Sequence, residues 1–218
     1  MGTMSTHDSA VGFSSAAAAP LWGEQQLVGE LRLGSVEAFN YLISLYHQPL
    51  FRFLTRLLGD REDAADALQE IFLKVFRSAA RFEGKSSLKT WVYQIAIHEA
   101  SNHRRWWRRH KSQETSLDAA PTEGRPDQAT LAERLSDGRE SPLELALLSE
   151  QRRQLQQALA QVPEPFHAVL VLREVEGFSY DEIAEILQVR IGTVKSRLLR
   201  GREMLRHKWL ESGLEARA

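Results

Sequence analysis

The apolar residues of this chain repeat with the period of an α-helix wherever they cluster. The clearest stripe comprises Leu68, Ile71, Phe72, Val75 and Phe76, at spacings i, i+3, i+4, i+7 and i+8. This spacing places all five side chains on one face of a single helix. Nowhere do apolar and polar residues alternate as they do in a half-buried strand. The sequence therefore predicts an all-α fold.

The helical pattern is interrupted by one long polar stretch. Residues 111–142 are rich in Asp and Glu and are punctuated by Pro and Gly. A stretch of this length without apolar periodicity is typical of a flexible linker. We therefore expect two small helical domains, at residues 21–110 and 143–210, joined by this linker. We expect tails at residues 1–20, which should be disordered, and at 211–218.

The composition argues against several classes of function. The chain has no Cys, which excludes disulfides, thiolate metal sites and cysteine nucleophiles. It has no apolar run long enough to cross a bilayer and no secretory signal pattern. His98 and His103 loosely resemble a zinc-protease motif, but side chains five residues apart diverge on a helix. We therefore expect no catalytic residue, metal, cofactor or membrane insertion, and a cytoplasmic location.

The charge is sorted along the chain although the total nearly cancels, with 28 Lys and Arg against 29 Asp and Glu. Residues 60–70 hold five acidic residues and one Arg, whereas residues 104–111 hold five basic residues and no acid. Residues 190–208 hold seven basic residues and one acid. Such blocks indicate separate surfaces for separate partners. The alternative is that each block is only a solvated helix face.

The most specific local pattern covers residues 179–205. Ser179 and Glu182 have the spacing of a capping box, which begins a short helix. A turn at residues 188–190 separates it from a second helix. The residues expected to face inward are Ile183, Ala184 and Leu187 on the first helix, and Val194, Leu198 and Leu205 on the second. Together these features predict a helix-turn-helix, whose second helix can lie in a DNA major groove.

The outward face of that second helix suits DNA. It carries Lys195, Ser196, Leu199 and Arg200, with two further polar side chains beside them. Basic side chains suit phosphates and guanine edges, and an aliphatic side chain such as Leu199 suits a thymine methyl group. An ordinary helical hairpin with a solvated basic face is the alternative.

A second candidate surface lies within residues 82–111. Trp91 and Tyr93 occur near the start of a helix that ends in a run of Arg and Trp at residues 102–109. Aromatic rings can stack on unpaired bases while neighbouring cations hold the backbone. Trp91 fits a core position equally well.

A third candidate surface is acidic. Asp63, Asp66 and Glu70 are spaced i, i+3 and i+7, so they line one side of a helix beside its apolar stripe. That side can dock a basic partner, although a solvated face explains it as well.

Taken together, these motifs resemble the extracytoplasmic-function (ECF) sigma factors, the minimal two-domain class of bacterial sigma factors. Residues 63–76 (DAADALQEIFLKVF) are similar to the region 2 helix that binds the clamp of core RNA polymerase. Residues 82–96 (FEGKSSLKTWVYQIA) resemble the segment that melts and contacts the minus-ten element. Residues 176–187 (EGFSYDEIAEIL) and 192–198 (GTVKSRL) resemble region 4, which contacts the minus-thirty-five element. The likeness covers roughly residues 25–208.

The resemblance implies a site for each partner, and these sites are expectations. The residues implied at core polymerase are Asp63, Asp66, Gln69 and Glu70. Those implied at the minus-ten element are Lys85, Ser86, Trp91, Tyr93, Asn102, Arg104 and Arg105. Within this set, the 83–87 loop would hold a flipped base of the melted non-template strand. Those implied at the duplex minus-thirty-five element are Arg190, Thr193, Lys195, Ser196, Arg197, Leu199 and Arg200.

The resemblance also implies the overall function. The chain would bind core RNA polymerase through region 2, direct promoter recognition and initiation, and be controlled by an anti-sigma factor. Two features depart from the family. Many members have Arg-Asn where this chain has Ile97-His98, so base preference in the minus-ten element does not carry over, and the first twenty residues are unmatched.

Two other functions remain open at this point. A conventional helix-turn-helix regulator would bind duplex DNA without polymerase, and it would need neither the acidic stripe nor Trp91. A helical adaptor that binds only proteins is the other, and the basic face of residues 190–208 argues against it.

Overall fold

Eight α-helices make up most of the chain that the computed structural model describes, which is residues 22–114 and 153–215. The first four are α1 (Glu24–Arg32), α2 (Val36–Leu58), α3 (Arg61–Ser78) and α4 (Leu88–Glu114). A 3₁₀ turn, Ala79–Arg81, follows α3. The other four are α5 (residues 153–160), α6 (Glu164–Leu170), α7 (Tyr180–Leu187) and α8 (Ile191–Glu215). A π-helical segment, Val171–Val175, continues α6. The all-α prediction is confirmed.

Local sequence sets the boundaries of the first helices. Ser35 caps α2, because its hydroxyl accepts a hydrogen bond of 3.2 Å from the Ala38 amide. Gly59 ends α2 with φ +80°, a conformation that glycine adopts without strain. Asp60 then caps α3 by accepting hydrogen bonds from the Glu62 and Asp63 amides at 2.8 and 3.0 Å.

The core of the first domain lies where α2, α3 and α4 pack together. Four residues of the predicted α3 stripe are buried there: Leu68, Ile71, Phe72 and Val75. The prediction is wrong for Phe76, which is 53% exposed. It lies at the rim of the stripe, where the Phe39 ring contacts it edge to face with ring centres 5.1 Å apart.

The second domain is built on α8, against which α6 and α7 pack. Val194 and Leu198 are buried as predicted, and Leu205 is half-buried. The prediction for α7 needs one correction, because Ile186 is buried beside Ile183 while Ala184 and Leu187 are only half-buried. Ile183 and Ile186 are three residues apart, so together they form the inward face of this two-turn helix.

The two domains contact each other directly, through α4 and α7. Ser101 on α4 also donates a hydrogen bond of 3.3 Å to the Glu164 carboxylate of α6. The helix α4 continues to Glu114, so the first residues of the predicted linker are helical. The rest of the linker, residues 143–152 and the tail at 1–20 lie outside the described residues, so the predicted domain boundaries stay predictions. No helix in the described ranges is long and apolar enough to cross a membrane.

Candidate nucleic-acid interface

The N-terminal half of α8 presents a basic surface. Five of the seven residues predicted to contact duplex DNA are exposed: Arg190, Lys195, Ser196, Leu199 and Arg200. The other two, Thr193 and Arg197, are half-buried beside them. Leu199 is 61% exposed, whereas the adjacent Leu198 faces the core and is 2% exposed. This surface, called the α8 face below, therefore offers cations around one apolar side chain.

Short-range interactions hold the α8 face in place. In the capping box of α7, the Ser179 amide donates to the Glu182 carboxylate at 2.8 Å, and the Glu182 amide donates to the Ser179 hydroxyl at 3.2 Å. The backbone hydrogen bond from Ser179 is the main reason why the pKa of Glu182 lies below its usual value of 4.5. Gln188 then adopts a left-handed conformation, φ +53°, that ends α7. On α8 itself, Arg202 is engaged by Glu174, to which its Nε donates a hydrogen bond of 3.0 Å.

The exposed side of α3 is both acidic and apolar. Asp66, Gln69 and Glu70 are exposed as predicted, and on the same side Leu73 and Phe76 are 45% and 53% exposed. We call these five residues the α3 surface. Large apolar side chains between acidic groups suit contact with a protein more than contact with solvent.

Asp63 belongs less clearly to the α3 surface. It is half-buried, and its Oδ1 lies 3.9 Å from Nε2 of His103 on α4. It therefore lies at the seam between α3 and α4, at one edge of the predicted stripe.

The loop between the 3₁₀ turn and α4 projects from the first domain. At the base of the loop, the Phe82 ring is buried and stacks on Trp91, with ring centres 4.6 Å apart. Ser87 caps α4, since its hydroxyl accepts a hydrogen bond of 3.0 Å from the Thr90 amide. At the tip, Gly84 has φ +74°, and the exposed Lys85 forms an ion pair with Glu83.

Two side chains of α1 hold the ends of this loop, and the sequence patterns did not reveal them. Arg32 donates to the Phe82 carbonyl from Nε at 2.7 Å and also from Nη2. Glu24 accepts a hydrogen bond of 2.7 Å from the Leu88 amide. These partners are 50 and 64 residues apart in sequence, and no local pattern reports on contacts of that range.

Tyr93, predicted at the minus-ten element, is buried in this arrangement of the domains. Its ring packs between Phe53 and Phe178, with centres 5.0 and 4.9 Å away. Its hydroxyl donates a hydrogen bond of 2.6 Å to the Glu176 carboxylate. Burial, followed by that hydrogen bond, raises the pKa of Tyr93 well above its usual range. The expectation of a DNA-facing Tyr93 is therefore not met while Glu176 and Phe178, which precede α7, cover it.

The remaining minus-ten residues differ in how much of them is accessible. Trp91 and Ser86 are half-buried, and the latter lies beside the exposed Lys85. Asn102 is half-buried and donates from Nδ2 to Glu99 at 3.2 Å. The side chains of Arg104 and Arg105 lie outside the described residues, so their roles stay predictions.

Comparison with protein-family models gives two matches. Residues 42–111 match Sigma-70 region 2, and residues 152–205 match Sigma-70, region 4. The first match contains the α3 surface and the 82–88 loop, and the second contains α7 and most of α8. The class of protein that these matches define is a sigma factor of the sigma-70 family.

Comparison with curated proteins shows to which group of sigma factors the chain belongs. The chain is 38% identical to the RNA polymerase sigma-H factor of Pseudomonas aeruginosa, over 84% of this chain and 91% of that protein. It is 37% identical to the ECF RNA polymerase sigma-E factor of Haemophilus influenzae, over 85% and 94%. It is 32% identical to the sigma-E factor of Escherichia coli K12, over 85% and 93%. The chain therefore belongs to the ECF sigma factors, which bind core RNA polymerase and direct promoter recognition and transcription initiation.

Solved structures agree on the fold. The sigma factor RpoE of Bartonella quintana, in complex with the anti-sigma factor NepR, aligns with a TM-score of 0.61 at 24% identity, over 79% of this chain and 97% of that one. CnrH, in complex with the cytosolic domain of CnrY, aligns with a TM-score of 0.57 at 20% identity, over 89% and 99%.

Proposed function

We propose that this sigma factor uses three separate surfaces to bind polymerase and the two promoter elements. The α3 surface binds core polymerase, the 82–88 loop with α4 holds the melted minus-ten element, and the α8 face contacts the duplex minus-thirty-five element. The observation that carries this proposal is the α3 surface. A conventional helix-turn-helix regulator has no use for exposed Leu73 and Phe76 among acidic residues, whereas a polymerase subunit needs such a docking face.

At the minus-ten element, the loop tip holds an unpaired base of the non-template strand. Lys85 and Ser86 supply hydrogen-bond donors there, and the half-buried Trp91 supplies an aromatic face at the edge of the opened duplex. Stacking on an aromatic ring contributes about 1–3 kcal/mol per base. Asn102 and the two arginines after it contact the strand backbone. Tyr93 joins this surface only when Glu176 and Phe178 move away from α4.

At the minus-thirty-five element, the α8 face lies in the major groove. Arg200 and Leu199 point outward and contact base edges, while Lys195 and Arg197 flank them and contact phosphates. The protein acts as a non-catalytic specificity subunit in the cytoplasm, together with polymerase.

We further propose control by an anti-sigma factor, as the B. quintana complex shows for that protein. A cleft of about 650 Å³ lies between α3, α4 and α7. Its lining includes the cations Arg77 and Arg81 and the apolar Ile95 and Leu187. An acidic, amphipathic helix fits this combination of charge and apolar surface.

The proposed role of the α3 surface in binding core polymerase is tested by substitution. Replacing Asp66 and Gln69 together by Ala should weaken binding to core RNA polymerase by about 2–4 kcal/mol, as expected for central contacts of an interface. A matched control replaces Glu37 and Gln48, an exposed acid and amide on α2, and should leave affinity unchanged. Circular dichroism checks that both variants fold. Unchanged affinity of the α3 variant would show that this side is only solvated.

A further inference from the structure

The helix α1 carries none of the proposed polymerase or DNA contacts, yet it reaches both ends of the 82–88 loop. Arg32, in its last turn, donates to the Phe82 carbonyl, and Glu24, in its first turn, accepts from the Leu88 amide. Phe82 and Leu88 are the residues at which the loop leaves the 3₁₀ turn and enters α4. One helix therefore holds the two ends of one loop.

The geometry of α1 matches this task. Glu24 and Arg32 are eight residues apart, which is about 12 Å along a helix axis at a rise of 1.5 Å per residue. Between them, Leu27 and Leu31 are buried at 2% and 6% exposure and anchor the helix in the core. The two charged side chains therefore project from a fixed support.

Both contacts are of the stronger kind. A guanidinium that donates twice to one carbonyl, and a carboxylate that accepts from an amide, are charge-assisted hydrogen bonds. The Leu88 amide lies at the N-terminus of α4, where backbone amides lack partners within the helix and a negative charge is favourable. Glu24 thus serves as a cap for α4 that is supplied by a distant part of the chain.

The tip of the loop has little other support. Glu83 and Lys85 are exposed and pair with each other, and Gly84 adds backbone freedom at φ +74°. A loop that must close around one base pays an ordering cost on binding unless its ends are already fixed. The anchors at Phe82 and Leu88 reduce that cost.

We propose that Glu24 and Arg32 are positioning residues of the minus-ten interface, which set the span of the 82–88 loop and thereby its choice of base. This inference rests on the proposed function of the loop. A purely structural role predicts something different: loss of either side chain would then lower stability, and all binding with it, without changing base preference.

The experiment uses holoenzyme assembled from the full chain and core RNA polymerase. The probe is a fork-junction DNA taken from a promoter that wild-type holoenzyme selects out of a randomised library. Affinity is measured for all four bases at each unpaired minus-ten position. The variants are Glu24→Ala, Glu24→Gln, Arg32→Ala and Arg32→Lys, and Gln25→Ala, on the exposed side of α1, is the matched control.

The expected result is a loss of discrimination at one position. Glu24→Ala, which removes one charge-assisted hydrogen bond, should reduce the preference for the favoured base about tenfold. Arg32→Ala, which removes two, should reduce it at least as much. Affinity for core polymerase and preference in the minus-thirty-five element should not change. Glu24→Gln keeps an acceptor oxygen and should retain most of the preference. Arg32→Lys cannot donate twice from a planar group and should retain only part of it.

Other results would overturn the inference. Unchanged discrimination in both Ala variants would do so, as would a uniform loss on all four bases. If Arg32→Ala lowers core binding through misfolding, Arg32→Lys and Glu24→Ala decide the matter, because full discrimination in both would contradict the positioning role.

Two further variants distinguish failure of the positioning role from failure of the proposed function of the loop. Lys85→Ala and Ser86→Ala alter the loop tip itself. If these change base preference and the α1 variants do not, only the positioning role fails. If the tip variants leave preference unchanged at every minus-ten position, the proposed function of the loop fails as well.

Discussion

The α8 face and the 82–88 loop are both proposed to contact promoter bases, but the protein builds them in different ways. The α8 face is one side of a regular helix, and which of its residues point outward follows from the helical repeat of the buried Val194 and Leu198. The loop is irregular, and its ends are held by α1 side chains more than forty residues away in sequence. A helix face is thus specified by local sequence, whereas the loop depends on the whole first domain.

On α8, neighbouring residues have opposite roles: Leu198 packs in the core and Leu199 faces outward. The largest expected effect is therefore a difference in stability between substitutions at these two positions. Leu198→Ala removes a fully buried side chain and should destabilise the second domain by about 2–5 kcal/mol. Leu199→Ala removes an exposed one and should change stability by less than about 0.5 kcal/mol. Chemical denaturation of both variants, followed by circular dichroism, measures the contrast. Equal destabilisation would mean that the face assigned to DNA is part of the core.

The same local geometry separates base contacts from phosphate contacts. Arg200→Ala should cost about 1–3 kcal/mol on the preferred minus-thirty-five sequence and relax the choice of base at one position. Lys195→Ala should weaken binding about equally on all sequences. It should also reduce the slope of the logarithm of the binding constant against the logarithm of salt concentration by about one. Holoenzyme binding to a library of duplexes at two salt concentrations distinguishes them. A loss in Arg200→Ala without any change in base preference would reassign Arg200 to the backbone.

The minus-ten surface, unlike the α8 face, is partly covered by the other domain, and this gives a pH-dependent prediction. The raised pKa of Tyr93 means that its packing under Phe178 and Glu176 favours the neutral phenol. That contribution should be complete below the ordinary tyrosine pKa of about 10 and should weaken as the pH rises further.

Removing the charge on Glu176 tests this contact. Glu176→Gln should lower the pKa of Tyr93, measured by ultraviolet difference titration against Tyr93→Phe, and loss of the hydrogen bond should cost about 1–2 kcal/mol. Glu185→Gln, which alters an exposed carboxylate on α7, is the control. An ordinary pKa for Tyr93 in the wild type would indicate that the domains separate in solution.

The smallest expected effect concerns the capping box that begins α7. Ser179→Ala should destabilise the second domain by about 1 kcal/mol.

Because the pKa of Glu182 is lowered in the folded state, the contribution of Glu182 to stability is present above the usual carboxyl pKa and is lost as the pH falls below it. Thermal melts at neutral and acidic pH should therefore differ less for Glu182→Gln than for the wild type. An unchanged difference would assign the acid sensitivity to other carboxylates.

The sequence predicted what depends on short-range periodicity. The cap at Ser179 and the outward position of Arg200 both follow from residues within one or two helical turns. Periodicity did not reveal the exposure of Phe76, since it gives the direction of a side chain but not how far the neighbouring helix extends over it. The predicted inward set of α7 omitted Ile186, although its spacing of three residues from Ile183 places it there.

Contacts between distant segments escaped prediction. Nothing near Glu24 or Arg32 in sequence indicates that each meets a backbone group of the loop. The burial of Tyr93 likewise depends on Phe178 and Glu176, which belong to the other domain. Such contacts are decided by tertiary packing, and a single sequence carries no local signal for them.

Transcription in a purified system shows whether this chain works as a polymerase subunit. Core RNA polymerase is supplied with the chain and a randomised promoter library, and the RNA products are sequenced. We expect initiation from a defined subset that shares a minus-ten and a minus-thirty-five element, only when both chain and core are present. Sequence-specific binding of the chain to duplex DNA without core, with no promoter-dependent RNA when core is added, would contradict it.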